Sequence, residues 1–170
     1  MKLIGAFLFI CTTSWIGFDM STQLTKRTKQ IRQMIQSLQL LEAEMGYSQM
    51  KLQQTFAILS KKTSYPISSF YDRLAYALTD AIPDFLSVWD QEVDHLQTIS
   101  ALKQNELDIL KQFGRNLGQH TFIEQQKHIV LAIHHLQTEL EEANEQRQKY
   151  EKVTKSLGVL IGLFIVLLLL

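Results

Sequence analysis

Apolar side chains recur every three or four positions along most of the chain, the spacing that places them on one face of an α-helix. The pattern is clearest in residues 121–150, where no proline interrupts it. Its apolar positions are Phe122, Ile129, Ile133, Leu136 and Leu140. The pattern predicts a long amphipathic helix that continues without a break into the apolar carboxyl end.

Shorter segments upstream show the same periodicity and are separated by breaks that contain glycine, proline or serine. We expect five further helices over residues 22–45, about 49–60, from Pro66 onwards, about 83–99 and about 103–113. Pro66 and Pro83 suit a first helical turn, where no backbone N–H donor is needed. No segment alternates as a strand does, so the predicted fold class is all-α, a six-helix antiparallel bundle with short loops.

Each end of the chain carries an apolar run without a charged side chain, residues 3–18 and 157–170. Both runs are shorter than the roughly 20 residues that a full crossing prefers, but helix tilt and extended lysine stems can absorb the difference. We therefore expect an N-terminal transmembrane helix in residues 1–20 and a C-terminal transmembrane helix in residues 156–170. The helical bundle would occupy residues 21–155.

A cleaved signal peptide is the competing interpretation of the first run, because Lys2 precedes an apolar core. The segment after the core offers no small-x-small cleavage site, and Trp15 and Phe18 stand where small residues would be needed. A lipoprotein signal is also disfavoured, since Ile10 directly precedes Cys11. These features favour a retained membrane helix.

Basic residues flank both apolar runs on the side of the bundle: Lys26, Arg27, Lys29 and Arg32 after the first, and Lys152 and Lys155 before the second. The positive-inside rule then places the bundle in the cytoplasm, with these residues near anionic lipid headgroups. Overall charge is balanced, 17 basic against 17 acidic residues, so the sequence predicts no nucleic-acid partner.

The candidate chemistry is sparse. His120, Glu124 and His128 are spaced four residues apart, which puts the two histidines about two helical turns from each other and too far apart for one ion. No nucleophile elbow, phosphate loop or dinucleotide motif occurs. We predict no catalytic residue, no metal or other cofactor and no small-molecule substrate. A membrane-bound enzyme using the histidines is the alternative from another functional class.

Two parts of the chain are candidates for a structural turn or a partner surface. Gly114 and Gly118 are predicted to end a helix by means of positive φ angles, and Thr121 with Glu124 forms a capping-box pattern that starts the next one. Arg115, Gln119 and Lys127 around this turn could instead share a docking surface. A second candidate surface is the acidic side of the fourth helix, which carries Asp84, Asp90, Glu92 and Asp94.

The block from Leu110 to Ile129, LKQFGRNLGQHTFIEQQKHI, resembles the stage III sporulation protein AB family. The segments KLIGA, LEAEMGY and KVTKSLGVLIGLF resemble the same family in the same order, so the resemblance covers essentially the whole chain. One departure is Thr121, where the family is expected to carry Asp; either residue can cap a helix.

The resemblance implies a component of the channel that links mother cell and forespore in an endospore-forming bacterium. It implies a position in the mother-cell membrane around the forespore, with the soluble domain in the mother-cell cytoplasm. The expected partners are membrane lipid and the other stage III sporulation A-operon channel proteins, notably the secretion-ATPase-like protein AA. The soluble domain would resemble platform-protein domains of type II secretion and type IV pilus machines, and a vegetative platform protein of that kind is the alternative.

Overall fold

The computed structural model describes the backbone of residues 2–47, 51–79, 84–117 and 122–169, and the side chains of 21–46, 51–79, 84–117, 124–150 and 152–153. This part of the chain forms six α-helices: α1 (Lys2–Tyr47), α2 (Leu52–Lys62), α3 (Ile67–Ala77), α4 (Phe85–Ile99), α5 (Gln104–Asn116) and α6 (Phe122–Leu169). No strand occurs in these residues, so the all-α prediction with six helices is confirmed.

The long helices α1 and α6 form the most extensive helix pair in the described part of the chain. Gln126 near the start of α6 donates a hydrogen bond to Glu42 near the end of α1, at 3.0 Å. Twenty residues further along α6, Gln146 accepts one from Arg27, near the middle of α1, at 3.2 Å. Residue numbers therefore rise along one helix where they fall along the other, so α1 and α6 lie side by side and antiparallel.

An aromatic cluster centred on Trp89 joins the shorter helices to one another. The Trp89 ring of α4 lies 5.3 Å from Phe70 of α3 and 5.6 Å from Phe113 of α5, both edge to face, and 6.2 Å from Phe56 of α2. All four side chains are buried. Burial of each contributes about 1.5–3 kcal/mol, and edge-to-face pairs add about 0.5–1.5 kcal/mol. The cluster therefore holds four helices around one indole.

Apolar side chains at helical spacing supply most of the remaining core. Ile31, Leu38 and Leu41 of α1 are fully buried, as are Leu59 of α2 and Leu136 of α6. Because the residues named in α1 are seven and three apart, they form a single buried stripe on this helix. The apolar pattern of the sequence was thus sufficient to predict the core.

The boundaries of the shorter helices agree with the sequence to within a few residues. Asp84 caps α4, since its carboxylate accepts the backbone N–H of Leu86 at 3.0 Å and the Ser87 hydroxyl at 2.8 Å. Pro66 directly precedes α3 and follows a cis peptide bond. Pro83, for which the same role was predicted, lies outside the described residues.

Within the side chains that the structure describes, no helix is both long and apolar enough to cross a membrane. The side chains of the predicted spans, in residues 1–20 and 156–170, lie outside this part of the chain.

Candidate functional site

Arg27, predicted to lie near lipid headgroups, is instead buried where α1, α5 and α6 meet, with 2% of its surface exposed. Its Nε donates to Glu106 Oε1 at 2.7 Å, and its Nη2 to Glu139 Oε2 at 3.2 Å. Its Nη1 donates to the amide oxygen of Gln146 at 3.2 Å. The headgroup prediction is therefore wrong for Arg27, because a side chain enclosed by two carboxylates and an amide cannot reach a membrane surface.

Glu106 is the fully buried partner in this network and was not singled out from the sequence. Its second oxygen accepts the backbone N–H of Lys103 at 2.7 Å, which satisfies an N–H at the start of α5. A Glu three residues into a helix is a known capping pattern, and that spacing was the available signal. The same carboxylate thus begins α5 and anchors Arg27 of α1.

Glu139 links the buried pair of Arg27 and Glu106 to the surface of α6. One oxygen accepts Arg27, and the other accepts the side-chain amide of Asn105 at 3.3 Å. The side chain of Glu139 is 15% exposed and paired with Arg27. We refer to Arg27, Glu106, Glu139 and Gln146 as the three-helix network. A buried ion pair is stable only when such hydrogen bonds complete it, as they do here.

The other predicted headgroup residues lie at the surface where the structure describes them. Lys26, Lys29 and Arg32 of α1 are exposed, and so is Lys152 of α6. Lys155 lies outside the described side chains. The basic residues of α1 therefore divide between one buried network member, Arg27, and three exposed cations.

The acidic side of α4 does not form one continuous face. Glu92 was predicted to be exposed, but it is 6% exposed and accepts both Nε and Nη2 of Arg73 from α3, at 2.5 and 3.1 Å. This bidentate ion pair raises the pKa of Arg73, chiefly through the hydrogen bond to Glu92. The surface position predicted for Glu92 is thus contradicted by its burial against α3.

Asp84 has the local capping role described above. Its pKa is lowered, first by the hydrogen bond from the Ser87 hydroxyl and then by the Leu86 backbone N–H. The carboxylate is therefore committed to the first turn of α4.

Asp90 and Asp94 remain as the surface part of the predicted acidic side. Asp94 is paired with Lys111 of α5, with the carboxylate 2.6 Å from Nζ. The pKa of Lys111 is raised, mainly by this hydrogen bond, and Asp90 and Asp108 add attraction through their charges. Three carboxylates therefore attract one ammonium group, and the four residues together carry a net negative charge on α4 and α5. We call Asp90, Asp94, Asp108 and Lys111 the acidic surface.

Gly114 does not end a helix, as was predicted, because α5 continues through it to Asn116. A Cβ at this position would lie 2.1 Å from Cδ1 of Trp89. The indole N–H donates to the Leu110 carbonyl at 2.8 Å, which fixes the ring against this turn of α5. The glycine is thus explained by the close approach of Trp89 and not by a turn.

The remaining residues of the predicted turn are only partly described. Arg115 in the last turn of α5 and Lys127 in α6 are exposed, and Glu124 lies in the first turn of α6. Gly118, Gln119 and Thr121 lie outside the described residues, so the proposed capping pair and docking surface there stay predictions. Among the described side chains, no group of three His, Cys, Asp or Glu residues could hold a metal ion.

Comparison with known proteins tests the resemblance noted in the sequence. The model of the stage III sporulation protein AB family matches residues 2–170. Stage III sporulation protein AB of Bacillus subtilis (strain 168) is 38% identical over 169 residues, which cover 99% of each chain. A solved structure of a stage III sporulation protein AB matches with a TM-score of 0.68 at 33% identity, covering 73% of this chain and 98% of that one. The predicted resemblance is confirmed.

Proposed function

Because this chain belongs to the stage III sporulation protein AB family, we propose that it is a membrane-anchored platform component of a secretion-like channel between mother cell and forespore. Family membership assigns the chain to stage III of sporulation. The platform role, the membrane anchoring and the absence of catalysis are the proposed part. In this account the protein works by holding other components in place.

The observation that carries this proposal is the antiparallel pairing of α1 and α6 through the three-helix network. Both helices lead into the apolar runs of the sequence, one through its amino end and the other through its carboxyl end. Antiparallel pairing directs those two ends to the same side of the bundle. One membrane could then hold both runs, with the short helices α2 to α5 turned towards the cytoplasm.

The proposed orientation also agrees with the exposed cations on these two helices. Lys26, Lys29 and Arg32 follow the first apolar run within about two to four helical turns, and Lys152 precedes the second by little more than one. All four are exposed and could contact anionic headgroups of the mother-cell membrane around the forespore. We therefore place the bundle in the mother-cell cytoplasm.

The proposed protein partners are the other stage III sporulation A-operon channel components, first among them the secretion-ATPase-like protein AA. The acidic surface is the contact that we propose for it. Asp94 is 61% exposed although it is paired with Lys111, so the carboxylates can attract a basic patch on a partner. Such charges mainly affect the rate and specificity of association.

Charge reversal on the acidic surface tests the proposed contact. We expect the double substitution Asp90→Lys and Asp94→Lys in the full-length chain to reduce co-purification of protein AA from sporulating cells at least about fivefold, because attraction becomes repulsion. Asp72→Lys is the control, since Asp72 is exposed and lies on α3, which contributes no residue to the acidic surface. Unchanged recovery of protein AA with a folded double variant would contradict the proposed contact.

A further inference from the structure

A groove on the bundle surface lies between α1, α6 and the start of α5. Its volume is about 390 Å³, and it is lined by Leu24, Lys103, Gln146, Lys149, Tyr150 and Val153. Val153 is half exposed, so its apolar surface is open to a ligand in the groove. We refer to this feature as the α1–α6 groove. The three-helix network forms the adjoining interior, because Gln146 belongs to both.

The α1–α6 groove combines an apolar lining with cationic side chains. Leu24 and Val153 supply apolar surface, and Tyr150 is amphipathic. Lys103 and Lys149 contribute ammonium groups at the ends of long, flexible stems. A ligand that fits this combination has a long apolar part attached to an anionic group.

The three-helix network leaves the ammonium group of Lys103 available to an anion. Both oxygens of Glu106 are occupied, one by Arg27 and the other by the backbone N–H of Lys103. Both oxygens of Glu139 are likewise occupied, by Arg27 and Asn105. The ammonium of Lys103 therefore contacts the neutral amide oxygen of Gln146, at 3.3 Å, and not a carboxylate. The nearest buried carboxylates are neutralised from within the bundle.

The position of the groove favours a membrane lipid over a soluble ligand. Leu24 follows the end of the first apolar run by six residues, and Val153 precedes the start of the second by four. At about 1.5 Å per helical residue, the groove lies within roughly 10 Å of both runs along the helix axes. A phospholipid in the surrounding leaflet could reach it without leaving the membrane.

We propose that the α1–α6 groove binds one anionic phospholipid of the membrane that anchors the chain. The phosphate contacts Lys103 and Lys149, and part of an acyl chain covers Leu24 and Val153. The inference rests on the proposed membrane anchoring and adds to it a defined lipid site on the cytoplasmic side. Bound lipid would fix the angle at which the paired helices enter the membrane.

Native mass spectrometry of the full-length chain, purified in detergent and titrated with phosphatidylglycerol or phosphatidylcholine, tests this site. We expect phosphatidylglycerol to bind in preference to phosphatidylcholine. The double substitution Lys103→Gln and Lys149→Gln should weaken phosphatidylglycerol binding at least about tenfold, since each basic residue near anionic lipid contributes about a fivefold factor. Circular dichroism confirms that the variant remains helical.

A matched control removes the same charge far from the groove. Lys61→Gln with Lys62→Gln changes two exposed lysines at the end of α2. Lys62 contacts Glu44, which is twenty residues, or about 30 Å, along α1 from Leu24. We expect this control to bind phosphatidylglycerol as the unsubstituted chain does.

Three results would overturn the lipid site. The first is equal phosphatidylglycerol binding by the groove variant and its control. The second is displacement of the lipid by millimolar inorganic phosphate, which would indicate a simple anion site. The third is cross-linking of a photoreactive residue at Val153 to a protein instead of a phospholipid in native membranes. If the chain fractionated away from membranes, the anchoring itself would fail. A membrane-bound chain without lipid preference would refute the α1–α6 groove alone.

Discussion

At the scale of single residues, Arg27 is the side chain whose position most changes the interpretation of the chain. It is a cation in a basic cluster, yet it is buried and bonded to Glu106, Glu139 and Gln146. Removing one member of such a pair leaves an uncompensated buried charge, which costs about 3–5 kcal/mol. Arg27 is therefore a positioning residue for the helices that hold the apolar runs.

We predict that Arg27→Met lowers the free energy of unfolding by about 3–5 kcal/mol, because Glu106 keeps its charge without its partner. Adding Glu106→Gln should recover part of this loss, with a coupling energy of at least about 1 kcal/mol. Thermal unfolding of the full-length chain in detergent, followed by circular dichroism, provides the measurement.

Lys62→Met is the control for this double-mutant cycle. Lys62 pairs with Glu44 at the surface and is 52% exposed, so its loss should cost less than about 1 kcal/mol. Equal effects of Arg27→Met and Lys62→Met would show that the three-helix network does not stabilise the bundle.

Gly114 gives a second prediction at this scale. Alanine favours a helix by about 1 kcal/mol over glycine, but its Cβ would lie 2.1 Å from the Trp89 ring. Because that ring is fully buried, moving it costs more than the gain, and we expect Gly114→Ala to destabilise the chain by about 1–3 kcal/mol. Gln112→Ala, at an exposed position of α5, should be nearly neutral. A melting temperature raised by Gly114→Ala would contradict the close contact with Trp89.

These two residues also show where prediction from sequence stops. A cation two residues from another cation is typical of a solvated surface, and only the meeting of α1, α5 and α6 buries Arg27. A glycine near a predicted helix end indicates a turn, and only the ring of Trp89, 25 residues upstream, supplies the other explanation. Both errors concern contacts between segments far apart in sequence, which helical periodicity does not report.

At the scale of helices, the periodicity of apolar side chains was sufficient to predict which segments are helical. Each predicted helix is present, and the predicted bounds of α2, α4 and α5 agree with the observed ones to within a few residues. The acidic side of α4 was misread because Glu92 faces Arg73 of α3 and Asp94 faces Lys111 of α5. A single helix cannot reveal which neighbour each of its carboxylates will meet.

The antiparallel register of α1 and α6 predicts a specific cross-link. With Cys11→Ala as background, Glu42→Cys and Gln126→Cys should be joined efficiently by a short bismaleimide in the full-length chain, since the ends of the original long side chains meet at 3.0 Å and the linker replaces the length that cysteine lacks. The control pair, Glu42→Cys with Gln148→Cys, places the second cysteine 22 residues further along α6, roughly 30 Å away. Comparison of mobility on denaturing gels gives the result, and efficient cross-linking of the control pair would contradict the register.

At the scale of the whole molecule, α1 and α6 form one long antiparallel pair, and α2 to α5 pack around Trp89. The three-helix network connects these two parts through α5. The apolar runs were readily found from the sequence, whereas the α1–α6 groove depends on the packing of three helices. In the proposed function, the long pair anchors the chain and the shorter helices present the acidic surface to other channel proteins.

The most direct test of this account is fluorescence imaging of a fusion placed within the bundle, in an endospore-forming host, through growth and spore formation. The account predicts signal in the mother cell alone, concentrated on the membrane around the forespore. A uniform signal in the membrane of growing cells, or a signal dispersed through the cytoplasm, would contradict the proposed role in the channel.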